Sequence, residues 1–337
     1  MKRNFKEYWT YGMWTLLMIF IINGCQKEKY KESTSDEVNI TGYLENNPDN
    51  FSLLTDILFR SKTAGYLGAY GTYTLFAPTN ESINTWIKRN GKTSLDDFSE
   101  VELLDFVKYH VVRDTVSSTR FTDGKIKTPT LYGEYLYTDI VNQKFRINKT
   151  AFINKGNIIC GNGVVHMIDQ VLTPPELSIA EIIVQDDRYS IFAQALQETG
   201  FYDTLYYNRE MIVPAEKRFQ TIIVESDSVL KAQGIADYAA FKYKYSTLGN
   251  PKNPKDSLWL YMAYHICNDG KFVEDIIASS SLYTLAPKEI ISTKFVGTRV
   301  LLNEDIFNGV FESGAEIMRS RSDMMASNGV LHESKQS

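Results

Sequence analysis

The chain has 337 residues, which is enough for two domains of ordinary size that each bury a core. A hydrophobic fraction of 43% and a charged fraction of 23% are typical of a folded protein and exclude a disordered chain. The net charge is only −5 and the sequence contains no cluster of Lys and Arg residues, so the composition argues against a nucleic-acid partner.

Residues 1–24 have the pattern of a bacterial secretion signal. A positively charged start precedes an apolar run over residues 13–22, which is too short to span a bilayer comfortably. The run ends at Ile22-Asn23-Gly24-Cys25, which resembles the lipobox at which a Cys thiol is acylated and becomes the new N-terminus. We therefore predict that Cys25 anchors the mature protein in the lipid bilayer. An uncleaved anchor with an incidental Cys is the alternative.

Residues 25–37 are polar and have the composition of a tether. The charged run Gln26-Lys27-Glu28 resembles the signal that sends lipoproteins of the Bacteroidetes to the outer face of the outer membrane. We therefore predict a lipid-anchored protein of the outer membrane that faces the cell surface. A periplasm-facing anchor is the open alternative.

Local patterns in the first half predict a strand, a helix and a second strand. The apolar residues of Thr74–Asn80 predict a strand that runs into a Ser/Thr-type cap and a new helix. Over residues 100–112, helical spacing puts His110 on the apolar face of a helix. Asn162-Gly163 is typical of a hairpin turn, after which alternation places Val164 and His166 on one face of a strand.

The same patterns recur in the second half in the same order. The four histidines of the chain form two matching pairs, and two further segments align between the halves. This ordered recurrence predicts a duplicated module. The matched segments are Tyr109-His110 with Tyr264-His265, residues 162–166 with 328–332, residues 49–54 with 187–192, and residues 74–80 with 221–227.

The order of Thr74-Leu-Phe-Ala-Pro-Thr-Asn80, Tyr109-His110 and Asn162-Gly-Val-Val-His166 resembles the fasciclin (FAS1) domain. The resemblance implies an α+β fold of two tandem wedge-like β-sandwich modules with flanking helices. We place the first module at residues 38–175 and the second at 176–337, joined near Pro174-Pro175-Glu176.

The second module is predicted to be a divergent copy. Glu225 stands where the first module has Pro78, and insertions are expected at residues 203–218 and 242–256. After His332 only five residues follow, so we expect the last strand of this module to be short or missing. Its exposed sheet edge would then accept a strand from a partner.

The histidines are expected to be neutral and buried, with ring nitrogens that satisfy backbone groups. The sequence has no His-x-x-x-His or paired Cys, so we predict no metal and no cofactor. In some animal matrix proteins of the fasciclin family the Tyr-His segment has been tied to integrin recognition, but an inward-facing His favours a structural role. The predicted structural residues are Tyr109, His110, His166, Tyr264, His265 and His332, and Cys160 and Cys267 are expected to be buried thiols.

Two further sets of residues are candidates for modification or binding. Thr115, Thr204, Ser228 and Ser257 match the Asp-Ser/Thr-aliphatic pattern of O-glycosylation in Bacteroidetes, and we expect one or two to be modified in an organism of that group. Binding is predicted at three tyrosines in or directly before the first insertion, which are Tyr202, Tyr206 and Tyr207.

The function that these patterns predict is a non-catalytic, adhesion-type lipoprotein that binds or scaffolds another protein or a glycan. The 21 tyrosines favour recognition of either partner. One alternative is an accessory lipoprotein of a nutrient-uptake complex built around a TonB-dependent transporter. A hydrolase is a remote alternative, because no Gly-x-Ser-x-Gly or P-loop occurs and its site would have to use the insertion tyrosines with Arg209 and Glu210.

Overall fold

The computed structural model of this chain describes residues 38–69, 71–208, 211, 213, 218–307 and 309–336. The predicted signal peptide, the predicted acylation site Cys25 and the predicted tether lie outside the described residues, as do Arg209 and Glu210. Among the helices that are described, none is long and apolar enough to cross a membrane.

Helices and strands alternate in a pattern that repeats once along the chain. The α-helices are α1 (Ile40–Glu45), α2 (Pro48–Arg60), α3 (Ala64–Gly68), α4 (Asn80–Arg89), α5 (Glu100–His110), α6 (Ile179–Gln185), α7 (Ser190–Thr199), α8 (Phe201–Leu205), α9 (Asp227–Ala232), α10 (Tyr238–Tyr245), α11 (Ser257–Tyr264) and α12 (Val273–Ala278).

The strands of the first half are β1 (Tyr73–Pro78), β2 (Val111–Val112), β3 (Gly124–Lys125), β4 (Tyr137–Val141), β5 (Lys144–Ile147), β6 (Ala151–Cys160) and β7 (Gly163–Ile168). Those of the second half are β8 (Gln220–Glu225), β9 (Ile266–Asn268), β10 (Ser281–Tyr283), β11 (Ile290–Val296), β12 (Arg299–Leu302), β13 (Asp305–Phe307), β14 (Val310–Glu312), β15 (Ala315–Ile317), β16 (Met324–Ala326) and β17 (Gly329–Gln336).

In the first module seven strands form one sheet in the order β2-β1-β7-β6-β5-β4-β3. The central pair, β1 and β7, is parallel from Tyr73↔Gly163 to Pro78↔Ile168. Every residue of β1 is buried. One face of this strand packs against the helices, and the other face packs against side chains from the outer strands of the same sheet. β6 and β7 form the hairpin that Asn162-Gly163 predicted.

The second module repeats this order as β10-β11-β12-β15-β17-β8-β9, with β16 also paired to β17. Its central pair, β8 and β17, is again parallel. The long strand β6 is replaced by two short strands, β15 and β16, and β13 and β14 form a separate hairpin. The predicted α+β fold of two tandem sheet modules with flanking helices, the second divergent, is confirmed.

The prediction that the last strand of the second module is short or missing is wrong. β17 has 8 residues against 6 in β7, and it remains buried through Ser334. Pairing decides the strand length here, because β15 extends alongside β17 as far as Ala315↔Gln336. β17 has neighbours on both sides and lies inside the sheet, so it offers no open edge for an added strand.

The insertions also begin later than predicted. α8 takes the place of α3, since the side chain of Asn328 bonds to the Leu205 carbonyl as that of Asn162 bonds to the Leu67 carbonyl. Residues 203–205 are therefore part of the shared fold. Residues 242–245 belong to α10, and only the stretch that follows them is a loop, which the buried Asp256 carboxylate organises by accepting hydrogen bonds from its side chains and amides.

The two modules pack against each other, and both belong to one compact unit. The rings of Tyr137 and Phe272 stack with centroids 5.6 Å apart, in a small cluster with Val330. Lys149 Nζ donates to the Ser322 carbonyl at 2.7 Å across the same boundary. The join between the modules therefore combines a small apolar cluster with charge-assisted hydrogen bonds.

One buried asparagine in each module fastens the opening helix to the sheet. Asn162 Oδ1 accepts from the Ile40 amide at 2.8 Å, and its Nδ2 donates to the Leu67 carbonyl at 2.6 Å. Asn328 does the same with the Ile179 amide and the Leu205 carbonyl at 2.9 and 2.8 Å. Since both side chains are buried, water cannot replace these bonds.

We predict that Asn162→Ala and Asn328→Ala each lower the free energy of unfolding by about 2–4 kcal/mol, because each leaves several buried backbone groups without a partner. Urea denaturation of the whole chain measures the change. Asn90→Ala is the matched control, since Asn90 lies at the surface with one bond to the Trp86 carbonyl, and it should cost under about 1 kcal/mol. Equal losses in all three variants would contradict this account.

Candidate functional site

His110 is fully buried and uses both ring nitrogens. Its Nδ1 lies 2.7 Å from the Phe106 carbonyl oxygen, and the Leu172 amide lies 2.9 Å from its Nε2. A carbonyl only accepts and an amide N–H only donates, so the ring is neutral with its proton on Nδ1. The segment after β7 thereby closes over this histidine.

His166, on β7, is buried and has the opposite tautomer. Nε2 donates to the Val116 carbonyl at 2.8 Å, and Nδ1 accepts from the Asn157 amide at 3.3 Å. Thr74 on β1 completes the network, because its hydroxyl donates to the Asp114 carbonyl and accepts from the Val116 amide. The loop after β2 is thus fixed to both central strands.

His332, on β17, repeats the arrangement of His166. Nε2 donates to the Lys271 carbonyl at 2.7 Å, and Nδ1 accepts from the Asp323 amide at 3.3 Å. Thr221 takes the part of Thr74, with its hydroxyl bonded to the Asp269 carbonyl and the Lys271 amide. Two modules of different sequence therefore build the same polar network in their cores.

His265 departs from its counterpart His110. Its Nδ1 donates to the Tyr261 carbonyl at 2.8 Å, as expected from the first module. Its Nε2, however, lies 4.0 Å from Glu225 Oε2, and no described residue donates to it as Leu172 does to His110. His265 borders a pocket of about 420 Å³ instead.

The pocket beside His265 is lined by aromatic rings, amides and one carboxylate. Glu225 accepts from Gln233 Nε2 at 2.8 Å and from the Tyr261 hydroxyl in a short hydrogen bond. Burial first, and then the Glu225 charge, raise the pKa of Tyr261 well above its usual range, so this hydroxyl remains a donor. The other lining rings are Tyr245 and Tyr264, with Ile291 and Leu302 as apolar walls.

Sequence reasoning did not identify this pocket, although it noted three of its lining residues, Tyr264, His265 and Glu225, for other reasons. Glu225 was recognised only as the residue that replaces Pro78. The other signal lies four residues before His265, where Tyr261 stands at the position that Phe106 has before His110. An added carboxylate and an added hydroxyl in a core otherwise shared by the modules are the two changes that could have indicated a site.

The tyrosines beside the paired histidines differ in exposure. Tyr109 is fully buried, and its hydroxyl accepts from Asn148 Nδ2 at 2.9 Å. Tyr264 is half-buried at the pocket, and its hydroxyl donates to the Ile290 carbonyl at 3.0 Å. Tyr109-His110 therefore lies inside the first module, where a partner does not reach it in this structure.

The tyrosines predicted to bind a partner lie near α8. Tyr202 and Tyr206 are half-buried, with near-parallel rings 5.9 Å apart, and they pack on the core of the second module. Tyr207 is only 8% exposed and lies below the Arg218 guanidinium. The structure therefore leaves two half-exposed rings of the predicted three.

Of the four residues predicted to carry O-linked glycans, Ser228 and Ser257 lie at helix starts, Thr204 lies within α8 and Thr115 lies in a loop. Thr115, Thr204 and Ser228 are exposed, while Ser257 is half-buried with its hydroxyl 3.0 Å from that of Thr247. Three of the preceding aspartates have structural contacts as well, for example Asp227, which accepts from the Ile191 amide. Accessibility alone therefore favours Thr115, Thr204 and Ser228 over Ser257.

Cys160 and Cys267 are buried thiols, as the sequence predicted. Burial raises the pKa of Cys267 to about 12, so its thiol is a poor nucleophile at neutral pH. Within the described part of the chain, no group of three or more His, Cys, Asp or Glu residues is placed to hold a metal ion.

Comparison with known proteins identifies the class of the first module. Residues 49–174 match the family model of the fasciclin domain. This match falls on the first module, where the Thr74–Asn80 and Asn162–His166 segments predicted a fasciclin-like domain.

The relatives of this chain extend the similarity to both modules. Protein sll1483 of Synechocystis sp. is 29% identical over 127 residues, which are 38% of this chain and 69% of that protein. Human periostin is 28% identical over 167 residues, 49% of this chain and 19% of periostin. Rabbit (Oryctolagus cuniculus) transforming growth factor-beta-induced protein ig-h3 is 25% identical over 274 residues, 78% of this chain and 34% of that protein. This chain thus spans only a minor part of the two animal proteins.

A solved FAS1 domain pair from the insect cell adhesion molecule fasciclin I is also similar to this chain. It is 17% identical, with a TM-score of 0.37, over 87% of this chain and 94% of that one.

The buried histidines predict a pH dependence of stability. Burial lowers the pKa of His110 to about 4, against about 6.5 in an unfolded chain, and it also lowers the pKa values of His166 and His332. As the pH falls below about 6.5, these imidazole rings bind protons in the unfolded chain but stay neutral in the folded chain. The stabilisation that these neutral rings provide is present above pH 6.5 and is lost as the pH falls toward 4.

Between pH 7 and pH 4, we predict that the free energy of unfolding falls by about 3 kcal/mol less in His110→Gln than in the wild type. Urea denaturation at a series of pH values measures this slope for the variant and the wild type. The change of this free energy with pH isolates the protonation effect. A loss of packing that does not depend on pH lowers the free energy of unfolding equally at pH 7 and at pH 4. Identical slopes in the two proteins would show that His110 titrates normally in the fold.

Proposed function

We propose that this chain is a non-catalytic, adhesion-type binding protein, displayed at the bacterial surface by a lipid on Cys25. The fasciclin domain at residues 49–174 supports the adhesion-type role. The tandem arrangement suits recognition, since two packed modules present a rigid surface. Exposed apolar side chains of the second module favour a protein as the partner.

These exposed apolar side chains, here together called the hairpin surface, support the proposal. Large apolar side chains are exposed along β10–β14, a stretch in which charged residues would be expected to cover the fold. β13 and β14 form a two-stranded hairpin of their own, paired to no other strand among the described residues. The hairpin surface consists of Tyr283, Ile290, Phe295, Val296, Ile306, Val310 and Phe311.

Exposed apolar residues at this density favour a protein partner over a glycan. Phe295 is 46% exposed and Phe311 is 61% exposed, and burying such rings against a partner releases free energy at about 25 cal/mol per Å². A glycan would be bound better by amides and hydroxyls beside a ring. The uptake-complex alternative loses its strand-addition mechanism, since β17 lies inside the sheet, but a transporter would be one protein able to cover this surface.

We predict that Cys25→Ser moves the protein from the membrane fraction to the soluble fraction, because the thiol is the atom that carries the lipid. Fractionation of cells, with mass spectrometry of the mature N-terminus, measures both the location and the acylation. Cys160→Ser is the control, since Cys160 is a buried thiol of the first module, and a variant that folds should stay with the membrane. Retention of Cys25→Ser in the membrane fraction would overturn the proposed anchor.

We predict that Phe295→Ser combined with Phe311→Ser lowers cell adhesion by about tenfold, because hot spots of this kind hold most of an interface's free energy. Adhesion to cultured cells or immobilised matrix proteins is compared between strains that make the variant or wild type and a strain that lacks the gene. Ile159→Ser is the matched control, since Ile159 is 61% exposed on the first module.

Equal adhesion of all strains, including the one without the gene, would contradict the adhesion-type role. Copurification of a stoichiometric transporter with the wild type, lost in the double variant, would instead identify the uptake complex as the partner.

A further inference from the structure

The pocket beside His265 contains two hydrogen-bond acceptors that face each other. His265 uses its Nδ1 proton to bond the Tyr261 carbonyl, so the Nε2 of the neutral ring has a lone pair. Glu225 Oε2 lies 4.0 Å from this Nε2, which is too far for a hydrogen bond and close enough for one donor to bridge both. Glu225 Oε2 already accepts from the Tyr261 hydroxyl, so His265 Nε2 is the acceptor for which no described residue supplies a donor.

The first module shows what fills this position when the site is closed. There the Leu172 amide donates to His110 Nε2 at 2.9 Å, and Pro78 occupies the place of Glu225. The second module differs at this end of the shared fold by adding the Glu225 carboxylate 4.0 Å from the histidine ring.

The charge of the pocket favours a cation. Glu225 is the only charged group among the described lining residues, and its other contacts, Gln233 and the Tyr261 hydroxyl, are neutral. The rings of Tyr245 and Tyr261 lie 4.5 Å apart at the wall, and those of Tyr261 and His265 lie 4.4 Å apart. Aromatic faces around a carboxylate stabilise an organic cation, since the rings attract positive charge without competing for hydrogen bonds.

From these contacts we infer that the pocket binds an organic cation through a primary ammonium group, bridged between His265 Nε2 and Glu225 Oε2. A hydroxyl has one proton and satisfies one of the two acceptors, whereas an ammonium has three and also balances the Glu225 charge. The apolar walls formed by Ile291 and Leu302 would hold the alkyl part. This inference goes beyond the adhesion-type role and does not depend on the hairpin surface.

The test uses the chain's four histidines as reporters. The whole acylated chain, labelled at His and held in detergent, is titrated at pH 8, where an imidazole is neutral and an alkylamine is charged. Two probes of the same length are compared, n-butylamine and 1-butanol, with methyl β-glucoside as a third. The His265 ring signal, assigned by His265→Gln, is followed by NMR.

We expect n-butylammonium to shift the His265 signal saturably and to leave the signals of His110, His166 and His332 in place, while 1-butanol has little effect. Glu225→Gln should weaken binding about tenfold or more, because it keeps the shape and the Tyr261 hydrogen bond but removes the charge. Glu312→Gln is the matched control on an exposed carboxylate outside the pocket, and it should bind as the wild type does.

Unchanged positions of the other three histidine signals show that Glu225→Gln still folds. No saturable shift with n-butylammonium at about 100 mM, equal shifts with 1-butanol, or a response to methyl β-glucoside alone would each overturn the proposal. A His265 ring that carries both protons at pH 8 would do so as well, since Glu225 would then already have its cation.

Discussion

A buried imidazole on the central strand of each module joins three segments that are distant in sequence. His166 on β7 bonds the loop after β2 through Val116 and the β6 strand through Asn157. Thr74 on the parallel neighbour β1 holds the same loop from the other side. Because an unpaired buried polar group costs about 1–3 kcal/mol, the loop is confined to the conformation that satisfies all of these groups.

The second module keeps this constraint while its sequence and its outer strands change. His332, Thr221 and Lys271 reproduce the network, and the parallel pair β8–β17 keeps the register of β1–β7. Strand β6 is interrupted as β15 and β16 on either side of Asp323, whose amide still reaches the ring. The polar centre is thus the same in both modules, while the strand beside it differs.

The paired histidines at the helix ends show the result of that divergence. His110 is sealed by the Leu172 amide, which makes it part of the core. His265 has the same bond to the preceding turn but faces Glu225 across an open pocket. The same position of a common fold is therefore closed by a backbone donor in the first module and borders a pocket in the second.

Patterns within short segments allowed the sequence to predict much of this fold. Tyr109-His110, Asn162-Gly163 and their repeats reported helix faces and turns, because those depend on residues a few positions apart. The length of β17 was mispredicted, since it is set by pairing with β15 and not by the residues that follow His332.

Long-range contacts set the limit of that prediction. Asn162 bonds to Ile40 across 122 residues, and Tyr137 stacks on Phe272 in the other module. The pocket was missed for the same reason, because Glu225 gains its role only when the fold brings Gln233 and Tyr261 to it. Composition and residue spacing do not show which residues distant in sequence come into contact.

One pair of histidine sites is therefore built twice in this chain. Long-range ¹H–¹⁵N NMR at neutral pH tests it directly, since it reports which nitrogen of each ring carries the proton. The account predicts two rings protonated at Nδ1, His110 and His265, and two protonated at Nε2, His166 and His332. Any other division of the four rings, or a charged ring among the three fully buried ones, would contradict it.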